Sequence, residues 1–107
     1  MIDFNRQINI AIKTGKMEFG CRSASVAAKL GKAKLIILAS NCPEKYRSEI
    51  LSDAKGSGVP THIHNGTSRD LGSVCGKPFI VAAITVREPG DSEILRLAEG
   101  EYAVTKD

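Results

Sequence analysis

Two short turns, each between a predicted strand and a predicted helix, carry side chains that could bind a nucleic acid. They are Gly20-Cys21-Arg22-Ser23 and Asn41-Cys42-Pro43. The start of a helix points its free N–H groups and the positive end of its dipole outward, which suits a phosphate or the acceptor edge of a base. Arg22 adds a planar fork of donors, and Asn41 adds an amide that can pair with a base edge. The two turns therefore predict a nucleic-acid site, with ordinary surface loops as the plainer alternative.

A third turn, Gly76-Lys77-Pro78-Phe79, precedes the last predicted strand. Lys77 has a cation for a phosphate, and Phe79 has a ring that could stack on an unpaired base. If right-handed crossovers make the first two strands parallel and the last strand returns antiparallel, all three turns lie at one edge of the sheet. The predicted site then comprises Gly20, Cys21, Arg22, Ser23, Asn41, Cys42, Gly76, Lys77, Pro78 and Phe79.

The strand before Asn41 is the element that must position these turns. Its apolar run from Leu35 to Ala39 is too short to span a membrane and indicates a strand covered on both faces. A sheet covered on both faces predicts an α/β/α sandwich, and the ends of its central strands are where such sheets usually place their sites. Phe79 to Val86 is the second long apolar run and the second predicted central strand. Pro60 places the strand over 59–64 at an edge of the sheet because it lacks an N–H.

Helices and strands alternate along the whole chain, without a repeat or a linker. Helices are predicted over 3–15, 20–30, 43–55, 67–75 and 91–98, and strands over 16–20, 35–39, 59–64 and 79–86. A length of 107 residues with 42% hydrophobic composition predicts a single domain over 1–98, followed by a polar tail over 99–107.

The charge distribution is more informative than the net charge of +3. Residues 1–55 contain ten Lys and Arg against five Asp and Glu, whereas residues 56–107 contain five against seven. A polyanion would therefore prefer a surface built from the first half of the chain. Because the sequence has no long apolar span and no apolar stretch behind a charged start, we expect a soluble, unexported protein.

The three cysteines and two histidines raise the alternatives of an enzyme or a metal site. An odd number of cysteines without C-x-x-C spacing argues against a disulfide framework and fits a reducing cytosol. Alternation along the third strand predicts that Val59, Thr61 and Ile63 face inward. His62 and His64 then face outward, where no third metal ligand is close in sequence. Cys42 is the best nucleophile candidate, so a small cysteine-dependent enzyme that uses one of these histidines stays open as an alternative. No catalytic residue, metal site or cofactor is predicted.

Four segments of the sequence stand in an order and spacing that resemble a known family. They are Gly20-Cys21-Arg22-Ser23, Gly31-Lys32-Ala33-Lys34-Leu35-Ile36-Ile37, Ala39-Ser40-Asn41-Cys42-Pro43 and Pro89-Gly90-Asp91-Ser92. Over about residues 3–98 the chain resembles the archaeal and eukaryotic L30e family of large-subunit ribosomal proteins. The resemblance implies a three-layer α/β/α fold with a four-stranded mixed sheet whose last strand is antiparallel. It also implies the wider L7Ae-like superfamily, which binds kink-turn RNA, a helix–internal loop–helix with sheared G·A pairs.

The resemblance implies an RNA-contacting surface on the same three turns. By analogy Arg22 would contact a phosphate or a guanine, Asn41 a base edge, and Phe79 an extruded or unstacked base. The L7Ae branch has Asn-Glu and soon a Lys after the first strand's glycine, whereas this chain has Cys21-Arg22-Ser23-Ala24-Ser25, which favours the ribosomal L30e branch. The positions that the family would use are Gly20, Arg22, Ser23, Asn41, Cys42, Gly76, Lys77 and Phe79.

The expected function is therefore non-enzymatic binding of rRNA in the large ribosomal subunit, in the cytoplasm, by shape recognition of a kink-turn or a similar internal loop. Within RNA binding, the alternative is a kink-turn-binding component of a guide-RNA modification particle. The expected partners are large-subunit rRNA and neighbouring ribosomal proteins. We expect no cofactor, metal or membrane, and a monomer when the protein is free.

Overall fold

Helices and strands alternate in the computed structural model, which describes residues 4–95. The elements are α1 (Phe4–Thr14), β1 (Lys16–Phe19), α2 (Cys21–Leu30), β2 (Leu35–Leu38), α3 (Glu44–Ser57), β3 (Thr61–Ile63), α4 (Ser68–Val74) and β4 (Ala83–Glu88). The predicted start of the first helix at Asp3, the predicted helix beyond Leu95 and the predicted tail over 99–107 lie outside the described residues. Within 4–95, none of the helices has the length and apolar composition needed to cross a bilayer.

The four strands form one mixed sheet in the order β1-β4-β2-β3. Strand β2 pairs with β3 in parallel, and β4 lies antiparallel to both of its neighbours, β1 and β2. The predicted mixed sheet with an antiparallel last strand is confirmed, and so is the edge position of the strand that follows Pro60. The C-terminal ends of β1 and β2 and the N-terminal start of β4 therefore lie side by side, along the edge of the sheet where these strands terminate.

The two faces of the sheet are covered by different helices, as the continuous apolar run of β2 predicted. Leu35 and Ile37 pack in one core cluster with residues of α1 and α4. Ile36 and Leu38 pack in a second cluster with residues of α2 and α3. All four side chains are fully buried, because β2 is a central strand with a helical layer on each side. This confirms the three-layer α/β/α sandwich.

The last strand begins later than its apolar run predicted. The prediction placed it over 79–86, whereas β4 begins at Ala83, and the side chains of Phe79 and Ile80 are 55% and 65% exposed. The register explains the difference, because Ala83 pairs with Leu38, the last residue of β2. The carbonyl of Ala82 still accepts from the N–H of Ala39, but before Ala82 no strand lies alongside. Phe79 and Ile80 therefore lie in a loop with exposed side chains, whereas Val81 is buried in the core.

The predicted orientation of the third strand is right for Val59, which is buried, but wrong for the two histidines. Ile63 is 38% exposed, whereas His64 is only 8% exposed. Because His62 aligns with Ile37 in the parallel register, the two histidines face the α1 side of the sheet. There the ring of Phe4 stacks on His64, with centroids 4.6 Å apart and planes 20° apart. The histidines are thus part of the packing of α1 on the edge strand.

These histidines predict that the protein loses stability in mild acid. Burial, and secondly the neighbouring His64, lower the pKa of His62 to about 4. Burial also lowers the pKa of His64, against the opposing effect of the Asp70 carboxylate. In mild acid the folded state then binds fewer protons than the unfolded chain. The free energy of unfolding is therefore undiminished above about pH 6.5 and declines as the pH falls toward 4. We expect a loss of about 1–2 kcal/mol in the free energy of unfolding, because the half-buried site is partly screened by solvent.

Urea unfolding at a series of pH values in this interval measures the effect. The matched variant is His62→Phe, which keeps an aromatic ring beside Phe4 but cannot take up a proton. Its stability should fall less with acid than that of the parent protein. Parallel profiles for the two proteins would show that the histidine does not contribute.

Candidate nucleic-acid interface

The first turn of the predicted site connects β1 to α2 through Gly20. This residue has φ 113°, in the region that side chains rarely adopt, which explains why glycine stands there. Its N–H donates to the carbonyl of Ala83 (2.8 Å), which joins the turn to the start of β4. No side chain within the described residues caps the α2 N-terminus. Arg22, in the first turn of α2, is exposed, and Ser23 is half-buried.

The second turn is fixed by the side chain of Asn41. Its Oδ1 accepts a hydrogen bond from the N–H of Ser68 (2.7 Å), at the start of α4. The preceding Ser40 donates its N–H to the carbonyl of Gly66 (3.0 Å). Because the oxygen of the Asn41 amide is engaged, the orientation of the side chain is set. Asn41 is exposed, and the two N–H donors of its NH₂ group belong to this surface.

Asn41 therefore has a structural role that can be separated from any role in binding. We expect Asn41→Ala to lower the free energy of unfolding by about 1–2 kcal/mol, because it leaves the N–H of the buried Ser68 without its acceptor. Asn41→Asp keeps an acceptor oxygen but replaces the NH₂ group with a second oxygen and adds a negative charge. Because a helix N-terminus favours a negative charge, the loss should stay below about 0.5 kcal/mol. Chemical denaturation of the three proteins checks this. Equal losses in the two variants would mean that the bond to Ser68 contributes little.

The third turn belongs to the loop between α4 and β4. The N–H of Lys77 donates to the carbonyl of Gly72 (2.9 Å), and its Nζ lies 4.8 Å from the centroid of the Phe19 ring. This cation–π contact joins the loop to the end of β1. The loop borders an open groove of about 400 Å³. The groove is lined by Arg69, Ser73, Lys77, Pro78, Phe79 and Ile80.

Direct contacts bring the three turns together. The Sγ atoms of Cys21 and Cys42 lie 3.9 Å apart, which joins the first turn to the second. The hydrogen bond from Gly20 to Ala83 joins the first turn to the start of β4, and the contact of Lys77 with Phe19 joins the third turn to the end of β1, directly before the first turn. We call the surface formed by residues 20–23, 41–43 and 76–79 the rim. Its exposed members are Arg22, Asn41, Pro43, Gly76, Pro78 and Phe79, and its half-buried members are Gly20, Cys21, Ser23 and Lys77.

Cys42 is the one member of the rim whose side chain is buried, at 5% exposure. Burial, and secondly the adjacent Cys21 thiol, raise its pKa to about 12. A thiol that stays protonated is a poor nucleophile. In addition, Cys42 packs on the α2–α3 side of the sheet, whereas His64 stacks on Phe4 on the opposite side. The structure thus argues against the alternative of an enzyme that pairs this cysteine with a histidine. Over residues 4–95, no three His, Cys, Asp or Glu side chains cluster as metal ligands.

Sequence reasoning missed four residues beside the rim, Arg69, Gly72, Ser73 and Ile80. Arg69 and Ile80 line the groove together with Phe79, and Gly72 lies directly beneath the loop. An added Cβ at Gly72 would overlap the carbonyl oxygen of Phe79. A glycine inside a helical pattern was the available signal, since it often marks a close approach of another backbone. Arg69 and Ser73 line the groove because the loop packs beside α4, and the exposure of Ile80 depends on where the last strand begins.

The chain is similar to ribosomal proteins over nearly its whole length. A model of the "Ribosomal protein L7Ae/L30e/S12e/Gadd45 family" matches residues 3–96. The large ribosomal subunit protein eL30 of Methanothermobacter thermautotrophicus is 46% identical over 96 residues, which cover 90% of this chain and 98% of that protein. The eL30 protein of Methanosphaera stadtmanae is 42% identical over 98 residues, which cover 92% of this chain and all of that protein.

A third relative and one solved structure agree with these matches. The eL30 protein of Methanothrix thermoacetophila is 46% identical over 97 residues, covering 91% of this chain and 90% of that protein. A Bacillus halodurans protein described as having unknown function superimposes with a TM-score of 0.77. It is 21% identical, and the match covers 94% of this chain and 100% of that chain, which supports the fold alone.

Proposed function

We infer the role of this protein from its membership of the ribosomal protein L7Ae/L30e/S12e/Gadd45 family, to which the chain belongs. It is a structural, non-enzymatic component of the large ribosomal subunit and acts in translation on cytoplasmic ribosomes. We propose that it binds rRNA, and that the rim is the surface it uses. We also propose that residues 1–98 form one RNA-binding unit and that the free protein is a monomer whose neighbours in the ribosome include other ribosomal proteins.

The observation that carries the RNA-binding proposal is the meeting of three turns at one edge of the sheet. Side chains of different chemistry lie there within one surface. Arg22 is a donor to phosphate or guanine, the NH₂ group of Asn41 is a donor to a base edge, and the ring of Phe79 is a platform for an unstacked base. The uncapped N–H groups at the start of α2 add donors to phosphate oxygens.

We propose further that the target is a kink-turn or a similar internal loop. The rim is held by hydrogen bonds and packing contacts on each of its turns, so it can select an RNA by shape. A regular RNA helix leaves its bases paired and its deep groove closed to side chains, whereas an internal loop exposes unstacked bases and their edges. A surface with one stacking ring and two amide or guanidinium donors fits the second kind of target.

The experiment compares two RNAs of equal length, one with a kink-turn and one in which Watson–Crick pairs replace the sheared G·A pairs. We expect much tighter binding to the kink-turn at the same salt concentration, with a salt dependence that reports the phosphates neutralised. Equal affinity for both RNAs would contradict shape recognition.

The assignment to the subunit has a separate test. The tagged protein should sediment with large ribosomal subunits through a moderate salt wash. Tight binding to the isolated kink-turn without sedimentation with subunits would instead favour the guide-RNA particle.

A further inference from the structure

Two cysteines of the rim lie close enough to react with each other. The Sγ atoms of Cys21 and Cys42 are 3.9 Å apart, and neither thiol is part of a disulfide. Cys21 is half-buried, so a small reagent can approach it from solvent, whereas Cys42 is 5% exposed. Each is next to a residue of the proposed RNA site, because Arg22 follows Cys21 and Asn41 precedes Cys42.

We propose that Cys21 and Cys42 form a reversible disulfide when the protein meets hydrogen peroxide, and that this bond weakens RNA binding at the rim. The second half of the proposal rests on the proposed function, and the first half does not. The oxidant is a small peroxide, and a low-molecular-weight thiol restores the reduced pair.

The reaction proceeds in two balanced steps. Cys21 releases its thiol proton to solvent, and its sulfur attacks one oxygen of the peroxide. An S–O bond forms, the O–O bond breaks, and the second oxygen leaves as hydroxide, which takes a proton to become water. The sulfur of Cys42 then attacks the sulfenic sulfur, the S–S bond forms, and the S–O bond breaks. The leaving hydroxide takes the proton of the Cys42 thiol, so two thiols and one peroxide yield one disulfide and two molecules of water.

The order of the two thiols follows from their surroundings. Cys21 is the accessible one, so it meets the peroxide first. Cys42 is shielded by the core cluster between α2, α3 and the sheet, and its position beside Cys21 suits it to the second step. The geometry thus assigns different roles to two neighbouring cysteines, as in other pairs of a reactive and a resolving thiol.

The disulfide would change the rim because the sulfurs must approach each other. A disulfide bond is about 2.05 Å long, so the present gap of 3.9 Å must close by nearly half. Cys21 is the first residue of α2, and Cys42 lies two residues before α3, so the closure would draw these two turns of the rim together. Binding sites need their groups held within about 0.5 Å of the productive geometry. Arg22 and Asn41 would therefore lose their present spacing.

Cys75 is a natural internal control. It is also buried, at 5% exposure, but it packs in the other core cluster, with residues of α1 and α4. The sheet separates it from Cys42, so it cannot join the pair. Its burial shields it from the peroxide, and the sheet keeps it away from the other two thiols, so we expect its thiol to stay reduced.

The first measurement maps the thiols after peroxide treatment of the full-length protein, alkylation and digestion with trypsin. Cleavage after Arg22 and in the lysine-rich segment before Leu35 places the two cysteines on separate peptides, 17–22 and 35–45. We expect these peptides to be joined, to separate on reduction with dithiothreitol, and to be joined equally in Cys75→Ser. In Cys21→Ser they should not be joined. Two results would overturn the proposal. One is alkylation of all three thiols in the parent protein after peroxide treatment, and the other is oxidation of Cys21 to a sulfinic acid without a crosslink.

The second measurement compares the affinity of the reduced and oxidised protein for kink-turn RNA. We expect binding to weaken by at least about tenfold on oxidation, similar to the loss of one good base contact. In Cys21→Ser the ratio of the two affinities should be close to one. Bound RNA should also make the disulfide harder to form. If the disulfide weakens RNA binding by some factor, linkage requires that bound RNA disfavour the disulfide by the same factor.

The two halves of the proposal fail separately. A crosslinked protein that binds RNA as tightly as the reduced protein would overturn the effect on the rim. A reduced protein that binds no kink-turn RNA would instead contradict the proposed function, and the peptide map would still decide whether the disulfide forms.

Discussion

Replacing Gly72 by alanine should lower the free energy of unfolding by about 2–3 kcal/mol. In an exposed helix this substitution is normally stabilising, because alanine restricts the unfolded chain more than glycine does. Here the new Cβ would overlap the carbonyl oxygen of Phe79 and lie 3.4 Å from the Cα of Ile80. The loop over 75–82 must then move away from α4, and the hydrogen bond from Lys77 to the Gly72 carbonyl is strained. Urea unfolding measures the loss.

Gly56 provides the matched control, since it also lies inside a helix, α3. A Cβ at Gly56 would meet no atom within 4 Å. We therefore expect Gly56→Ala to stabilise the protein by up to about 1 kcal/mol, opposite in sign to Gly72→Ala. If both variants are stabilised, the loop does not pack against α4 as described. Because the loop carries Phe79, we also expect Gly72→Ala to weaken RNA binding, and Gly56→Ala to leave it unchanged.

Phe79→Ala and Arg22→Ala should each weaken binding to kink-turn RNA by about 1–3 kcal/mol. The ring of Phe79 is 55% exposed, and Arg22 is exposed at the start of α2, so neither truncation removes a core contact. We expect the free energy of unfolding to change by less than about 0.5 kcal/mol in either variant. Equilibrium RNA binding and chemical denaturation, measured side by side, separate the two effects.

Leu30→Ala is the control for these variants. Leu30 is 60% exposed, similar to Phe79, but it lies at the opposite end of α2 from the rim. Its truncation should leave RNA binding unchanged. If Phe79→Ala and Arg22→Ala bind RNA as the parent does, the rim is not the RNA-binding surface. The salt dependence then resolves the partner of Arg22, because loss of a phosphate contact lowers the slope by about one, whereas loss of a base contact changes specificity.

Local patterns in the sequence were sufficient for the framework of the fold. The run from Leu35 to Ala39 predicted a strand covered on both faces, because only a central strand of a layered fold can bury every side chain. Pro60 predicted an edge because it cannot donate to a ladder. The helix predicted from residue 67 begins where the structure has a capping box formed by Thr67 and Asp70. Each of these signals lies within a few residues of the feature that it specifies.

The candidate site was accessible from the sequence for a similar reason. Strand-to-helix turns can be identified from glycine, proline and polar residues, and alternating elements predicted which edge of the sheet they share. The structure brings residues 20–23, 41–43 and 76–79 to that edge. Cys21 contacts Cys42, and the other two contacts are those of Gly20 with the start of β4 and of Lys77 with the end of β1. Their role in binding RNA stays a prediction until the variants above are measured.

Only the tertiary structure decided the features that depend on residues far apart in the chain. The apolar run from Phe79 continued the pattern of a strand, but the partner strand ends at Leu38, so the run begins as a loop. His64 was expected to face solvent, but Phe4 covers it. The proximity of Cys21 and Cys42 follows from parallel strands and could not be measured from spacing. Hydrophobic periodicity reports which residues are buried within one element, whereas contacts between elements depend on packing and register, which a local pattern does not contain.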